Sequence, residues 1–293
     1  MRAVKEKANA KINLYLDVIS KRDDGFHNIK TVMHSVSLFD EVTVVFSPSD
    51  TQNVRVSLKG NRFLPTDDRN LAYKAAKLYL DSAGISANIE VMLNKRIPIA
   101  AGLAGGSSDA AATLRAMNKI FGKMFSDKAL LKMAEKLGSD VPYCLYGKTA
   151  LCEGRGEIIT KLPDNIKLNL VIAVADEHVS TPAAYLDLDS IYSSFDGSIE
   201  TGGEKHFAGL MSSLSNGRID ANNLFNVFES AVLPKCNGAL AIKNRLAELG
   251  AYAALMSGSG PSVFGLFENE DAAKSALESL QADGINAYFA KSV

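Results

Sequence analysis

Apolar and polar residues alternate along residues 12–18 of the chain. The apolar side chains at 12, 14, 16 and 18 fall on one face of an extended segment, because successive side chains of a strand point to opposite faces. Lys11 and Asn13 lie on the other face and point the same way. The pattern therefore predicts a β-strand with one buried face and two polar side chains held side by side.

Strand and helix patterns follow one another along the whole chain without internal repeats. In the first half the spacing of apolar residues predicts strands at 41–46, 54–58 and 89–93, and helices at 70–83 and 126–137 that end at Gly84 and Gly138. In the second half it predicts strands at 168–175, 251–256, 262–267 and 286–290, helices at 223–232, 238–249 and 271–282, and a polar surface loop at 187–205. This succession favours α/β or α+β layers, and a boundary near residue 162 divides the chain into domains 1–162 and 163–293.

The composition allows a large core and excludes several kinds of partner. The chain has 293 residues, of which 47% are apolar, and its 32 basic and 33 acidic residues leave a net charge of −1. Such a chain has no dominant field to attract nucleic acid or an anionic membrane. It contains neither a signal-peptide core nor an apolar run approaching the ~20 residues of a membrane span, and nothing in it predicts an obligate protein partner. Three cysteines without metal-ligand or disulfide spacing fit a reducing, cytoplasmic location.

A glycine-rich segment, PIAAGLAGGSS at 98–108, leads directly into a helical pattern. Gly102, Gly105 and Gly106 allow tight turns that expose several backbone N–H groups to one anion, and Ser107 or Ser108 is expected to cap the helix. The segment predicts a phosphate site, although an ordinary turn before an alanine-rich core helix has the same pattern. GKT at 147–149 fails as a Walker A loop because Pro142 stands where its first glycine belongs.

Five segments together resemble the GHMP small-molecule kinases nearly end to end. They are AKINL at 10–14, RDDGFH at 22–27, PIAAGLAGGSSDAA at 98–111, GSDVP at 138–142 and SGSGP at 257–261. The set is most similar to the branch of the family that phosphorylates the 2-hydroxyl of 4-diphosphocytidyl-2-C-methyl-D-erythritol with ATP, in non-mevalonate isoprenoid synthesis. The resemblance implies a two-domain α/β fold with an N-terminal domain like one of a ribosomal protein and a ferredoxin-like α+β C-terminal domain. It also implies an active site in the cleft between the two domains.

The resemblance also implies roles for individual residues. Asp140 is the expected base for the substrate hydroxyl, and Lys11 is expected to orient that hydroxyl; without the resemblance, a turn-capping aspartate and a solvated lysine are the ordinary readings. The ATP phosphates are expected at the glycine-rich segment, with Mg²⁺ to balance their charge. Its residues are Pro98, Ile99, Ala100, Ala101, Gly102, Leu103, Ala104, Gly105, Gly106, Ser107 and Ser108.

A separate pocket is expected to select cytidine. Phe26 and Tyr185 match family positions that stack on either face of cytosine, and His27 is expected to read its polar edge. Asn13 is expected to place the erythritol portion, and Thr181 to shape the same wall. For isolated residues, two core aromatics and a structural histidine are the ordinary alternative. Phe26 also departs from the tyrosine common in the family.

Several assignments stay open at the level of sequence. Ala104 replaces a glycine frequent in the family and is tolerable only at negative φ. No carboxylate ligand for a metal is evident, and Ser108 is either a hydroxyl near the metal or a helix cap. Asp67, Asn70 and Lys95 lie where they could reach the adenine or ribose, or have simple surface roles. The turn at 258–260 either closes over substrate phosphates or is a plain hairpin turn.

Three other functions have testable features. A sibling kinase for mevalonate, homoserine or a sugar shares the ATP segment but does not need the residues of a base pocket. A silent metabolite sensor binds ATP or another ligand without turnover, and the presence of both Lys11 and Asp140 argues against it. An RNA-binding module is disfavoured by the balanced charge and by the absence of a basic stripe.

Overall fold

The structure, a computed structural model, describes residues 1–59, 63–192, 199 and 201–293. Within those residues the strands are β1 (Arg2–Lys21), β2 (His27–Pro48), β3 (Asn53–Lys59), β4 (Ala87–Asn94), β5 (Thr149–Gly154), β6 (Ile158–Lys161), β7 (Asn169–Val174), β8 (Phe225–Asn226), β9 (Ala253–Met256), β10 (Ser262–Phe267) and β11 (Asn286–Lys291). The helices are α1 (Leu71–Ala83), α2 (Gly105–Ile120), α3 (Asp127–Leu137), α4 (Val141–Tyr146), α5 (Thr181–Tyr192), α6 (Glu204–Ser215), α7 (Phe228–Val232), α8 (Asn237–Glu248) and α9 (Glu270–Ala282).

Local signals account for the ends of the early helices. Asn70 caps α1, since its side chain accepts a hydrogen bond from Ala72 N, and Gly84 ends the helix in the left-handed conformation at φ 64°. Ser126 caps α3 by accepting a hydrogen bond from Ala129 N. The predictions of these two helices, and of the strands that became β3 and β4, are confirmed.

The chain forms two compact units, each built from separate stretches of sequence. The first, unit 1, comprises Met1–Ala10, Phe39–Ile99 and Ala104–Gly147. In it β3 runs parallel to β4, and β4 runs antiparallel to the second half of β2. Helices α1 and α2 cover these strands with small alanine side chains and larger ones such as Tyr79, Leu114 and Met117, all fully buried. Such helices can pack closely because alanine side chains are small.

Unit 2 comprises Lys11–Leu38, Ala100–Leu103 and Lys148–Val293. The first half of β2 pairs antiparallel with β5, which pairs with β6, and β8 runs parallel to β1 at Tyr15 and Leu16. A four-stranded antiparallel sheet in the order β11-β7-β10-β9 is covered by α8 and α9. Every residue of β10 is buried, which explains its continuous apolar run.

A fully buried histidine joins three segments of unit 2. His34 of β2 pairs through Nδ1 with Thr149 Oγ1 at 2.9 Å and through Nε2 with Ser292 Oγ at 3.0 Å. Ser292 Oγ also accepts a hydrogen bond from Leu168 N at 2.8 Å. Burial lowers the pKa of His34 from 6.5 to about 4, so the ring is neutral at neutral pH.

Two local predictions are wrong. The expected helix at 223–232 is broken into a 3₁₀ turn at Ala221–Asn223, strand β8 and the short helix α7. The expected loop at 187–205 is helical at its beginning, in α5, and at its end, where α6 starts at Glu204. Residues 193–198 and 200 of that prediction lie outside the described part of the chain.

The family prediction of a mixed α/β fold in two parts is confirmed, whereas the boundary at residue 162 stays a prediction. Both β1 and β2 contribute residues to unit 1 and to unit 2. Among the described residues no helix combines the length and the apolar character needed to cross a membrane.

Candidate functional site

Lys11 and Asn13 touch each other in unit 2, as the strand pattern predicts. Lys11 is 4% exposed, and its Nζ donates to Asn13 Oδ1 at 2.7 Å and to Gly102 O at 2.8 Å. Asn13 Nδ2 donates to Thr31 Oγ1 at 2.8 Å, which fixes the orientation of the amide. The ammonium of Lys11 is therefore held in one place, and the reading of Lys11 as a solvated strand lysine is wrong.

The glycine turn at 258–260 packs on the same two side chains. Gly258 N donates to Asn13 Oδ1 at 2.9 Å, and a methyl group added at Gly258 would lie 3.4 Å from Lys11 Nζ. The carbonyl of Gly258 accepts a hydrogen bond from the buried side chain of Asn226 at 2.8 Å. The turn is thus more than a link between β9 and β10, because its backbone forms one wall beside the lysine.

Gly102 packs directly against the backbone of Ser257, which precedes the glycine turn. Its φ is 75°, and a Cβ atom built on it would lie 2.1 Å from Ser257 O. Ser257 Oγ donates to Gly102 O at 3.1 Å, so that carbonyl accepts hydrogen bonds from Ser257 and from Lys11. Only glycine fits here, because any side chain would collide with the backbone of the turn.

The other members of the glycine-rich segment differ in exposure. Ala101 and Leu103 are buried, Pro98 is half-buried, and Ile99 and Ala100 are exposed. Ala100 has a φ of 52°, and Leu103 O accepts a hydrogen bond from Lys11 N at 3.2 Å. The segment is therefore a shaped turn between β4 and α2 whose exposed backbone includes residues 99 and 100.

Helix α2, which belongs to unit 1, begins at an earlier residue than the sequence predicts. Its first residue is Gly105, and Ala104 stands at the N-cap with φ 58° and no side-chain cap. The expectation of negative φ at Ala104 is therefore wrong, and so is the expectation that Ser107 or Ser108 caps the helix. A left-handed alanine costs roughly 1–2 kcal/mol, which is a reason for glycine to be common there in the family.

The first turn of α2 can accept an anion. Ser108 N donates to Ala104 O at 2.9 Å, whereas the N–H groups of Gly105, Gly106 and Ser107 precede the first hydrogen bond of the helix. Gly106 is exposed, and Gly105 and Ser107 are half-buried. Three N–H groups at the positive end of a 16-residue helix form the kind of site that binds phosphate.

The hydroxyl of Ser108 forms a hydrogen bond to β1 instead of capping α2. Its Oγ donates to Asn9 O at 2.6 Å and lies 3.3 Å from Cys144 Sγ. The side chain is buried and ties the first turn of α2 to β1. Of the two serines, Ser107 is the more accessible.

The side chain of Lys95 lies in unit 1 next to the first turn of α2. Its side chain is 4% exposed and donates to Asp109 Oδ2 at 2.5 Å and to Asp40 Oδ2. Asp40 Oδ1 accepts a hydrogen bond from Ile97 N at 2.8 Å, and a methyl group at Gly105 would lie 3.6 Å from Lys95 Nζ. Burial and the neighbouring Asp40 raise the pKa of Asp109 to about 7 in spite of the ammonium.

These contacts overturn the surface role expected for Lys95. Its charge is buried between two carboxylates. Asn70 is committed to capping α1, and the exposed Asp67 pairs with Arg69 at 2.8 Å. The hydrogen bonds from Arg69 hold the pKa of Asp67 at about 2.

Asp140 lies in unit 1 directly before α4. It is half-buried and occupies the N-cap position, but its side chain makes no capping hydrogen bond. Its backbone carbonyl accepts a hydrogen bond from Cys144 N at 3.0 Å, which is enough to begin the helix. The carboxylate is therefore not used as a turn cap, and its role as a base stays a prediction.

His27 and Tyr185 are brought together in unit 2. Their rings stack with centroids 4.6 Å apart and planes inclined by 17°. Phe26 is 54% exposed, with the Arg155 guanidinium 5.3 Å from the centre of its ring. Thr181 Oγ1 lies 2.7 Å from Ser259 Oγ, which links the beginning of α5 to the glycine turn.

Asp189 is a residue that the sequence reading missed. Its Oδ1 lies 2.7 Å from His27 Nε2, and its Oδ2 accepts a hydrogen bond from Lys21 Nζ at 2.5 Å. Burial alone would raise the pKa of Asp189, but the hydrogen bonds from Lys21 and His27 outweigh it and hold the pKa below its usual range. The four-residue spacing from Tyr185 was the available signal, because positions i and i+4 share one face of a helix.

Comparisons with known proteins identify the family of the chain. Residues 70–148 match the family described as GHMP kinases N terminal domain, and residues 210–286 match GHMP kinases C terminal. A 4-diphosphocytidyl-2-C-methyl-D-erythritol kinase of Caldicellulosiruptor saccharolyticus is 41% identical over 92% of this chain and 90% of its own length. The chain belongs to the GHMP kinase family.

Other members of the family extend the similarity. A relative of the same name from Lachnoclostridium phytofermentans is 43% identical over 92% of this chain and 90% of its own length. The crystal structure of a 4-(cytidine 5'-diphospho)-2C-methyl-D-erythritol kinase superposes with a TM-score of 0.79 at 32% identity, covering 98% of each chain. A homoserine kinase structure from Cytophaga hutchinsonii, with a TM-score of 0.77 at 24% identity over 100% of this chain and 95% of its own, shares the fold.

The described part of this GHMP kinase contains no preformed cluster of metal ligands. Among its described residues no group of three or more histidine, cysteine, aspartate or glutamate side chains could hold an ion. Mg²⁺ is commonly held by one or two protein oxygens together with substrate phosphates and water, so a nucleotide site does not need such a cage.

Proposed function

We propose that this GHMP kinase transfers the γ-phosphoryl group of ATP to the 2-hydroxyl of 4-diphosphocytidyl-2-C-methyl-D-erythritol, giving the 2-phosphate and ADP in non-mevalonate isoprenoid synthesis. The observation that carries the proposal is the similarity, over more than nine tenths of the chain, to relatives with that name. Three features supply chemistry that this reaction needs: the lysine cluster, formed by Lys11, Asn13, Gly102 and the glycine turn at 258–260, the first turn of α2, and the stacked rings of His27 and Tyr185. A cytoplasmic location stays a prediction from the sequence.

The ATP phosphates are proposed to lie at the first turn of α2. The N–H groups of Gly105, Gly106 and Ser107 and the positive end of the helix favour the triphosphate charge. Lys95 is proposed to keep this turn in place through Asp109 and Asp40, rather than to touch the nucleotide. When bound together with ATP, Mg²⁺ would supply positive charge to neutralise the phosphates.

Lys11 is proposed to hold the acceptor hydroxyl and the negative charge that develops on its oxygen. Its ammonium is fixed by two hydrogen bonds, to Asn13 and Gly102, and is therefore preorganised. Asn13 is proposed both to orient Lys11 and to place the erythritol portion. Its amide oxygen accepts hydrogen bonds from Lys11 and Gly258, and one N–H of its amide nitrogen donates to Thr31, so the second N–H is the donor for erythritol.

Asp140 is proposed to accept the proton of the substrate hydroxyl. As that oxygen forms its bond to the γ-phosphorus, the bond from phosphorus to the bridging oxygen of ADP breaks, and the proton passes to the carboxylate. Since its side chain caps nothing, Asp140 can be changed without disturbing α4.

The first experiment measures ADP release with Mg-ATP and a set of acceptors. These are the cytidyl alcohol, its uridine analogue, mevalonate, homoserine and galactose. We expect turnover with the cytidyl alcohol. Turnover confined to another acceptor would replace the proposed substrate with that of a sibling kinase. ATP binding without any turnover would favour the sensor reading.

Asp140→Asn tests the base in the same assay. We expect turnover to fall by about 100-fold or more, the usual contribution of a positioned base, with unchanged thermal unfolding and ATP binding. Asp127→Asn is the matched control, because Asp127 is an exposed carboxylate at the beginning of the neighbouring helix α3. Near-native turnover of the Asp140 variant would remove the base from the mechanism.

A further inference from the structure

The side-chain amide of Asn13 is held at both ends by other groups of unit 2. Its Oδ1 accepts hydrogen bonds from Lys11 Nζ at 2.7 Å and from Gly258 N at 2.9 Å. Its Nδ2 donates to Thr31 Oγ1 at 2.8 Å. Thr31 is fully buried and Asn13 is 2% exposed, so water cannot readily replace a partner that is lost here.

The hydroxyl of Thr31 has a fixed direction. A threonine hydroxyl donates one hydrogen bond, and a backbone carbonyl only accepts. Since Thr31 Oγ1 lies 2.6 Å from the carbonyl oxygen of Tyr15, its single proton is directed there. Only the lone pairs of the hydroxyl oxygen are then left for Asn13, and lone pairs require a donor. Thr31 therefore selects the NH₂ group of the Asn13 amide.

The oxygen of the same amide is fixed by its own partners. Lys11 Nζ and Gly258 N only donate hydrogen bonds, so both need the oxygen of Asn13. An amide turned the other way round would point its NH₂ group at an ammonium and at a backbone N–H, and its oxygen at the lone pairs of Thr31. All of these contacts would be repulsive. Thr31 thus enforces the orientation of the amide from outside the groups proposed to touch the substrate.

We propose that Thr31 is a positioning residue for phosphoryl transfer: its hydroxyl keeps the amide oxygen of Asn13 turned toward Lys11 and so holds the ammonium at the acceptor hydroxyl. The inference rests on the proposed function, because the reaction gives the ammonium its task. The same hydrogen bond uses one N–H of Asn13 and sets the direction of the second, which is the donor proposed for erythritol. One buried hydroxyl therefore orients two groups that face the substrate.

Thr31→Val tests this role, because valine keeps the branched shape of threonine and replaces only the hydroxyl by a methyl group. Asn13 Nδ2 then loses the one hydrogen-bond partner that it has among the described residues. The amide must move to find another, and its oxygen leaves the ammonium. In the ADP-release assay with the cytidyl alcohol we expect kcat to fall by about 10- to 100-fold and the KM for ATP to stay unchanged. Thr31→Ser keeps the hydroxyl and should restore most of the lost kcat.

Thr149→Val is the matched control for the loss of a buried hydroxyl. Thr149 is also fully buried, but its Oγ1 pairs with His34 Nδ1 at 2.9 Å instead of with the lysine cluster. We expect this variant to lose stability in urea denaturation, as Thr31→Val does, and to keep the kcat of the wild type. The comparison separates lost stability from lost positioning.

A double-mutant cycle shows whether Thr31 acts through Asn13. Asn13→Ala removes the amide, so the hydroxyl has nothing left to orient. We expect Thr31→Val to lower kcat by about tenfold or more when Asn13 is present and by less than about twofold in the Asn13→Ala background. Equal factors in the two backgrounds would mean that the hydroxyl acts independently of the amide, which would overturn the inference.

The chemical reactivity of Lys11 gives a readout that does not depend on the substrate. Acetic anhydride modifies neutral amines, and peptide mass spectrometry of the labelled full-length protein gives the rate at each lysine, with the exposed Lys128 as internal reference. The amide oxygen of Asn13 stabilises the charged, unreactive form of Lys11. We expect Thr31→Val to raise the labelling rate of Lys11 by about tenfold and Thr149→Val to leave it unchanged.

Two further results would contradict the positioning role: a near-native kcat of Thr31→Val, or equal losses of kcat in Thr31→Val and Thr149→Val. Failure of the proposed function has a different signature, since a wild-type protein that releases no ADP with the cytidyl alcohol would overturn the function itself. In that case the labelling rate still decides the role of Thr31. A rate at Lys11 that is the same in Thr31→Val and in the wild type would show that the hydroxyl does not position the ammonium.

Discussion

Replacing Gly102 by alanine tests the close approach on which the lysine cluster depends. The added methyl group would lie 2.1 Å from Ser257 O and 3.3 Å from Gly260 O, at a backbone φ of 75°. The left-handed backbone costs an alanine roughly 1–2 kcal/mol, and relieving an overpacked contact typically costs a further 1–3 kcal/mol. We therefore expect Gly102→Ala to lower the free energy of unfolding by about 2–5 kcal/mol.

Gly122→Ala provides the matched control for this change. Gly122 has nearly the same conformation, at φ 70°, but a methyl group there would meet nothing within 4 Å. Gly122→Ala should therefore lose only the free energy that the left-handed backbone costs an alanine. The difference in the free energy of unfolding between the two variants then measures the cost of the collision with Ser257. Urea denaturation of both proteins gives the two free energies.

Activity provides an independent measure of the same contact. The carbonyl of Gly102 accepts a hydrogen bond from Lys11 Nζ, so a shift of the backbone by about 1 Å displaces the ammonium, and such a misplacement can cost about 100-fold in rate. We expect turnover of Gly102→Ala to fall by that order and turnover of Gly122→Ala to stay near the wild-type value. Equal stability and equal turnover of the two variants would refute the collision at Ser257.

Two further predictions concern buried charge. Lys95→Met leaves two buried carboxylates without their shared ammonium and should destabilise the protein by about 3–5 kcal/mol in urea denaturation. Lys5→Met, which removes an exposed ammonium paired with Glu41, should change the stability little. Burial keeps His34 neutral in the folded protein and lowers its pKa from 6.5 to about 4. The contribution of His34 to the free energy of unfolding should therefore be fully present above pH 6.5. It should decrease as the pH falls toward 4, by about 3 kcal/mol relative to His34→Gln. A small effect of Lys95→Met, or parallel pH curves for the wild type and His34→Gln, would contradict these two accounts.

Local sequence signals predicted those elements whose ends are set by neighbouring residues. Asn70 and Gly84 delimit α1 because both act through the backbone of their own helix. The same reasoning failed at 223–232, where the apolar spacing is helical. There the chain leaves the helix because Asn226 donates to Met256 O and Gly258 O, and Phe225 pairs with Tyr15 of β1. Contacts between residues so distant in sequence have no local signature.

In the candidate site, too, local contacts could be predicted from the sequence and long-range contacts could not. The contact of Lys11 with Asn13 follows from strand alternation, and the first turn of α2 from its glycines. The partnership of Asp189 with His27 spans 162 residues and depends on α5, whose apolar positions are followed at once by a serine- and glycine-rich stretch that favours a loop. The conformation of Ala104 was also beyond local prediction, since propensity alone opposes it.

The sharing of β1 and β2 by the two compact units affects how the protein can be synthesised. Unit 2 needs Lys11–Leu38 from the beginning of the chain. It also needs Ser292, whose hydroxyl contacts His34 and Leu168. The amino-terminal strands therefore cannot complete unit 2 until residue 292 has been translated. Neither unit can be produced as one continuous fragment. A ribosome that stalls before residue 292 leaves exposed strands, which chaperones can bind.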